Sequence, residues 1–149
     1  GKFGDSPEKF VASFKKSRDK ESFEHAAVNM IAMASCYSPN AKAKLGFDLP
    51  CAPRTGELDA AVWRRWLEFD PVNAAPKRVA ALKALKTLWF DAGTRDEFHL
   101  HIGARRFADV LKKLKVRHVY EEHGFGHFDM AGRYDVSLAL LSSRCKRVG

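Results

Sequence analysis

The chain has 149 residues and a net charge of +8, and its content of 46% hydrophobic and 30% charged residues is typical of a globular protein. Its length suits one domain of ordinary size with a buried core. The sequence contains no apolar run near the roughly 20 residues of a membrane-spanning helix, and its first residues lack the apolar stretch of a secretion signal. We therefore expect a cytoplasmic protein with no membrane partner.

The first half of the sequence predicts helices and loops without strands. Asp5-Ser6-Pro7-Glu8 is typical of a helix start, because a capping side chain precedes an early proline. Further helices are predicted over residues 22–34 and 58–68, and Asp70-Pro71 ends the latter. Between them, the prolines and glycines of residues 37–56 indicate an ordered but irregular segment.

The second half alternates between helix and strand patterns. After a short helix over residues 76–86, residues 87–91 form a nearly continuous apolar run, which is typical of a strand buried on both faces. The pattern then predicts a helix over 99–114, a second strand over 116–121 and a last, covering helix over 130–144. This order predicts a β-α-β-α unit with two parallel strands, and hence an α/β fold class.

A carboxylate and an imidazole follow the two predicted strands. Asp96 comes after the first strand, and His127 comes after the second in a turn that contains Gly124 and Gly126. Because neighbouring parallel strands end at the same sheet edge, these side chains can meet there. The carboxylate would then accept a hydrogen bond from Nδ1 of His127 and leave Nε2 free to take a proton from a serine. The alternatives are a helix cap at Asp96 and a buried, hydrogen-bonded histidine in a glycine-rich turn.

Metal and disulfide chemistry have little support in the sequence. Five of the six histidines lie between residues 99 and 127, but their spacing does not put metal ligands on one helix face. The three cysteines lie far apart, without a Cys-x-x-Cys pair, and are interpreted as thiols in a reducing compartment: Cys36, Cys51 and Cys145. We therefore expect neither a metal nor a cofactor.

Several short motifs occur in an order that resembles a known family. They are Tyr37-Ser38-Pro39-Asn40, Gly46-Phe47-Asp48-Leu49-Pro50, Thr55-Gly56-Glu57, Trp63-x-x-Trp66-Leu67, Asp70-Pro71-Val72, Gly93-Thr94-x-Asp96-Glu97, Ala104-Arg105 and Gly126-His127-Phe128-Asp129. Together they are similar to the branch of the α/β-hydrolases that contains esterase D and feruloyl-esterase-like enzymes. The resemblance implies a serine hydrolase that cleaves carboxylic esters through an acyl-enzyme, with Asp96 as the triad acid and His127 as the base.

The resemblance also implies that the chain corresponds to the C-terminal part of such an enzyme, with an incomplete α/β-hydrolase fold. In this fold the nucleophilic serine precedes the acid, yet no serine before Asp96 lies in a Gly-x-Ser-x-Gly turn. A cap-like, loop-rich helical insertion is expected over residues 1–75 and the β-α-β-α part of the hydrolase domain over 76–149, within one folded unit. Residues of the insertion that could line a substrate pocket, or simply form a core, are Phe47, Leu49, Trp63 and Trp66.

Two functions are therefore considered. In the first, the chain holds the acid and base of an esterase for small esters, is inactive alone, and could form a homodimer through an unpaired sheet edge. In the second, it is a non-catalytic domain whose basic helix, with Arg105, Lys112 and Lys113, binds an acidic partner or nucleic acid. Because the lysines fall in the last turn of the helix, where cations suit the dipole, we favour a solvated surface over a nucleic-acid interface.

Overall fold

The computed structural model describes residues 4–20 and 24–144. The chain divides into two compact units, Gly1–Asp70 and Pro71–Gly149, whereas the sequence led us to place a boundary after residue 75. The described residues combine helices with a two-stranded parallel sheet, so the α/β class is confirmed at this level. Within them, no helix has both the length and the apolar character that crossing a membrane requires.

The first unit is built from helices, which are α1 (Pro7–Lys16), α2 (His25–Tyr37) and α3 (Ala60–Leu67). The side chain of Ser6 accepts a hydrogen bond from the Lys9 amide and caps α1, as the sequence predicts. Asp59 caps α3 in the same way. Helix α2 continues beyond the predicted end at residue 34, because Tyr37 packs against the core of this unit. Its predicted start at residue 22 lies outside the described residues.

The core of the first unit joins α2, α3 and the irregular segment between them. Ala34, Val62 and Trp66 are buried, and further apolar side chains pack against them. The irregular segment contains two isolated antiparallel bridges, Pro39 with Phe47 and Cys51 with Leu58, but no strand. The prediction of an ordered irregular segment is therefore confirmed.

The second unit alternates helices and strands. Its first elements are α4 (Pro71–Ala74), a 3-10 turn (Ala75–Arg78) and α5 (Val79–Ala84), which replace the single helix predicted over residues 76–86. They are followed by β1 (Trp89–Gly93), α6 (Leu100–Lys113), β2 (Val119–His123), a second 3-10 turn (His127–Met130) and α7 (Arg133–Arg144). Strands β1 and β2 pair in parallel, with Trp89 opposite Val119 and Gly93 opposite His123.

Both strands begin two or three residues later than the sequence predicts. The amide of Val116 donates to the Leu111 carbonyl at 2.9 Å and closes the end of α6, so this residue is not available for strand pairing. Lys115 has the left-handed conformation (φ +55°) that commonly ends a helix. Because each residue of β1 pairs with one residue of β2, the later start of β2 also makes β1 start later.

The core of the second unit lies on the side of the sheet that α6 covers. Leu111 is fully buried and packs with Val116 and Ala75. The rings of Phe90 and Phe107 lie 5.3 Å apart between β1 and α6. The prediction that β1 is buried on both faces is wrong for its first three residues, which are half-buried. A single neighbouring strand and one packed helix cannot enclose them.

Candidate functional site

Asp96 and His127 lie in hydrogen-bonding contact beyond the C-terminal ends of the two strands. The distance between Nδ1 of His127 and Oδ2 of Asp96 is 2.9 Å. The Asp96 side chain is 6% exposed and that of His127 is 37% exposed, so the carboxylate is buried behind a ring that reaches solvent. The ring of His127 makes edge contacts with Phe98 at 4.9 Å and Phe128 at 5.0 Å between centroids. The juxtaposition predicted from strand order is thus present.

Asp96 is held in its ionised form by hydrogen bonds. Burial by itself raises the pKa of the Asp96 carboxyl, but the bonds from His127 and from the Phe98 and Leu100 amides outweigh it and lower this pKa below its usual range. The Phe98 amide donates to Oδ1 at 2.7 Å, so Asp96 also caps the turn before α6. An ionised carboxylate can only accept, so Nδ1 of His127 carries the proton and Nε2 of the neutral ring is an acceptor.

The two loops that carry these residues are joined along their backbones. The Thr94 amide donates to the His123 carbonyl at 2.8 Å, and the Arg95 amide donates to the Phe125 carbonyl at 3.1 Å. At Gly93 the loops come so close that a Cβ atom would lie 2.3 Å from the Phe125 carbonyl oxygen. Glycine is therefore required at the end of β1 for the loops to approach each other.

Glu97, which the sequence analysis named only as part of the Gly93-Thr94-x-Asp96-Glu97 motif, is a further site residue. Its Oε2 accepts a hydrogen bond from the His127 amide at 2.8 Å. A Cβ atom on Gly126 would lie 2.7 Å from Oε1 of Glu97, so the glycine gives this carboxylate room. The adjacency of Glu97 to Asp96 was the only available signal.

Arg133, at the start of α7, is a second residue that the sequence did not single out. Asp91 and Glu121 are directly opposite each other in the strand register, which is unfavourable for two like charges. Arg133 bridges them, since its Nε donates to Asp91 at 2.8 Å and its Nη2 to Glu121 at 2.5 Å. These bonds, that to Asp91 first, raise the pKa of the Arg133 guanidinium. Its charge also lies 5.5 Å from the ring centre of Trp89.

A cavity of about 340 Å³ lies beside the Asp96–His127 pair within the second unit. Its lining combines Asp91 of β1 and Asp96 with side chains of α6 and α7, among them Leu100, Tyr134 and Ser137. The Ser137 hydroxyl donates to the Tyr134 carbonyl at 3.2 Å. This cavity is large enough for a small ligand next to His127.

The four residues proposed to line a substrate pocket lie in the first unit. Trp66 is 9% exposed, and its indole N–H donates to the Ser38 hydroxyl at 2.8 Å. Trp63 packs against it, with 6.0 Å between ring centroids. Phe47 and Leu49 contact the same core and also line an open cavity of about 650 Å³ inside this unit. A core role describes the tryptophans fully, and a substrate role for the four stays a prediction.

The histidine-rich stretch and the cysteines do not form a metal centre in the part of the chain that the structure describes. There, no group of three or more His, Cys, Asp or Glu side chains could hold a metal ion. His118 is used structurally, because its Nδ1 lies 2.8 Å from the Val116 carbonyl. Cys36 and Cys51 are free thiols, and Cys145 lies outside the described residues.

The comparisons with known proteins are negative. A scan against protein-family models gives no match, and neither does a search of curated proteins. The geometry around Asp96 and His127 is therefore the main indication of function.

Proposed function

We propose that this chain carries the acid and the base of a serine esterase, and that the nucleophilic serine belongs to sequence outside these 149 residues. The observation that carries the proposal is the 2.9 Å contact between Nδ1 of His127 and the buried, ionised carboxylate of Asp96. This pairing orients the ring and directs the acceptor Nε2 away from Asp96.

The chemistry assigned to each group follows from this pairing. Nε2 of His127 takes the proton of the serine hydroxyl as the serine oxygen attacks the ester carbonyl. The resulting imidazolium is stabilised by Asp96 and then gives its proton to the leaving alcohol. Water repeats the sequence on the acyl-enzyme, which releases the carboxylic acid and restores the serine. No cofactor takes part in these steps.

The wider assignment to an incomplete α/β-hydrolase fold has two supports. The acid and base follow consecutive parallel strands at the C-terminal edge of the sheet, where α/β folds build their sites. The ordered motifs between residues 37 and 129 resemble the esterase D and feruloyl-esterase-like branch. The alternative of a basic interaction surface is weaker, because the Arg105 guanidinium already donates to both carboxylate oxygens of Glu122, from Nε at 2.6 Å and from Nη2 at 2.7 Å.

A fluorophosphonate probe tests the proposal on the chain as it stands. We expect no covalent labelling and no hydrolysis of p-nitrophenyl acetate above that of the buffer, because the serine is absent. Ser137 lines the same cavity as His127 and is therefore the serine of this chain to examine for labelling. Labelling that disappears in Ser137→Ala would place a nucleophile within this chain and overturn the assignment of an external serine.

The longer protein encoded by the same reading frame, where it contains a Gly-x-Ser-x-Gly turn, tests the roles of the two residues. Asp96→Asn and His127→Ala should each lower kcat by about 10³-fold or more, with unchanged circular dichroism. Asp109→Asn, on the exposed side of α6, removes the same charge as the Asp96 variant and should leave kcat unchanged. A near-normal rate in the Asp96 or His127 variant would remove that residue from the mechanism.

A further inference from the structure

Two adjacent acids hold two different parts of one histidine. Asp96 binds the imidazole of His127 through Nδ1 at 2.9 Å, and Glu97 accepts from the backbone amide of the same residue at 2.8 Å. The two carboxylates are separated by a single peptide unit, so the ring and the backbone of His127 are fixed with respect to one short segment.

We propose that Glu97 is a positioning residue for His127, an inference that rests on the esterase function proposed above. A ring held only through Nδ1 can keep its bond to Asp96 while the turn beneath it shifts. Anchoring the amide removes this freedom and fixes where Nε2 points. Glu97 thereby acts on the base through its backbone, without contact to the reacting atoms.

The local backbone explains why the His127 amide needs a partner from outside. His127 is the first residue of a 3-10 turn, and the first amides of a helical turn have no acceptor within it. Asp129 accepts from the preceding amide, that of Gly126, at 3.3 Å. Two carboxylates thus converge on consecutive amides.

The glycine at position 126 fits this arrangement. A Cβ atom there would lie 2.7 Å from Oε1 of Glu97 and 3.1 Å from Oδ2 of Asp129. A side chain there would therefore require the Glu97 carboxylate to shift from its observed place. The glycine suits the clamp, whereas a turn alone would not favour it, because its φ of −80° is open to other residues.

The charge state of Glu97 is consistent with the proposal. The bond from the His127 amide is the first cause that lowers the pKa of the Glu97 carboxyl below its ordinary value. The group is therefore an anion at neutral pH, and its bond to the amide is charge-assisted.

Nuclear magnetic resonance on the full chain tests the clamp without any enzymatic assay. We expect the His127 amide proton signal to move as Glu97 is protonated at low pH, and Glu97→Gln to reduce this movement to the part that protonation of Asp96 causes. In Glu97→Ala the exchange of this amide with solvent should rise about tenfold, because a charge-assisted hydrogen bond is lost. The fraction of His127 protonated at Nδ1 should fall in Glu97→Ala and be largely restored in Glu97→Gln, whose side-chain oxygen can still accept.

Asp109→Asn is the matched control and should change none of these signals. If Glu97→Ala leaves both amide exchange and the tautomer of His127 unchanged, Glu97 is not a positioning residue. That result would leave the proposed esterase function intact, because Asp96 still binds the ring. If the clamp is present but the longer protein turns over esters normally without Asp96 or His127, the esterase function fails and the clamp remains a structural feature.

Discussion

The two faces of the sheet in the second unit are built on different physical principles. On the α6 face, Leu111 and Val116 are buried and Phe90 packs on Phe107, so apolar burial holds the helix. On the α7 face the contacts from the helix start are the ion pairs of Arg133. Most α7 side chains beyond it are exposed, Leu138 to 62%, and only a few, such as Ser137 and Leu140, are half-buried.

This difference places the candidate site on the part of the unit that hydrophobic burial controls least. The His127 turn leads directly into α7. Asp96 and Glu97 bind His127 itself, and Arg133 at the start of α7 binds Asp91. Directional contacts fix a group more closely in angle than apolar packing does, but they add less to stability. We therefore expect stability to depend on the α6 face and site geometry to depend on the α7 face.

A substitution in the core on the α6 face should change stability most and tests this division directly. Leu111→Ala removes a fully buried side chain and should lower the free energy of unfolding by about 3 kcal/mol. The same substitution at Leu138 should change it by less than about 0.5 kcal/mol. Hydrogen exchange of the β1 and β2 amides in urea reports on this unit alone. Equal losses in the two variants would show that the α7 face is also buried in solution.

The second prediction compares the ion pairs of the two faces. Arg133→Gln leaves Asp91 and Glu121 facing each other with only the imidazole of His123 nearby and should lower the Tm by roughly 5 °C. Arg105→Gln, which breaks an exposed pair with Glu122, should lower it by about 1 °C.

Adding Glu121→Gln to Arg133→Gln supplies the control for that comparison. The double variant should recover part of the lost Tm, because one of the two facing charges has been removed. Calorimetry at low and high salt measures both effects. A Tm that falls further in the double variant would contradict the role given to charge repulsion.

Chain order and a shared sheet edge were enough to predict the Asp96–His127 contact. A β-α-β connection makes parallel strands neighbours, and their loops then emerge together whatever the register. The strand boundaries were mispredicted, because the bond from the Val116 amide to Leu111 uses a residue whose apolar character favours a strand. Periodicity does not distinguish a side chain that pairs in a sheet from one that closes a helix.

The supporting residues were harder to find for a related reason. Glu97 binds a backbone amide, and Arg133 binds two acids that meet only through the strand register. Neither partner is visible as a spacing in the sequence. The apolar pattern of α7 likewise predicted a covering helix, but Tyr134 is 66% exposed, because helical periodicity identifies an apolar side without stating what covers it.

The polar rim of the α6 face consists of Arg105, Tyr120 and Glu122, which are joined by hydrogen bonds, and its expected effect on the Tm is small. Hydrogen bonds from Arg105 and Tyr120 lower the pKa of Glu122 to about 2, and burial, followed by the bond to Glu122, raises the pKa of Tyr120 to about 12. The folded-state pKa of Glu122 lies below its unfolded value near 4.5, so its stabilising effect is present above pH 4.5 and is lost as the pH falls towards 2.

Glu122→Gln should therefore lower the Tm by about 1 °C at neutral pH, and the difference from the unsubstituted chain should vanish towards pH 2. The same variant should lower the pKa of the Tyr120 phenol only in part, because burial, the larger cause, remains, and ultraviolet titration measures this change. A Tm difference that persists at pH 2 would mean that Glu122 acts by packing and not by charge. Glu122 would then stabilise the protein through packing, as the apolar core does, and every contact of α6 would differ from the ion pairs of the α7 face.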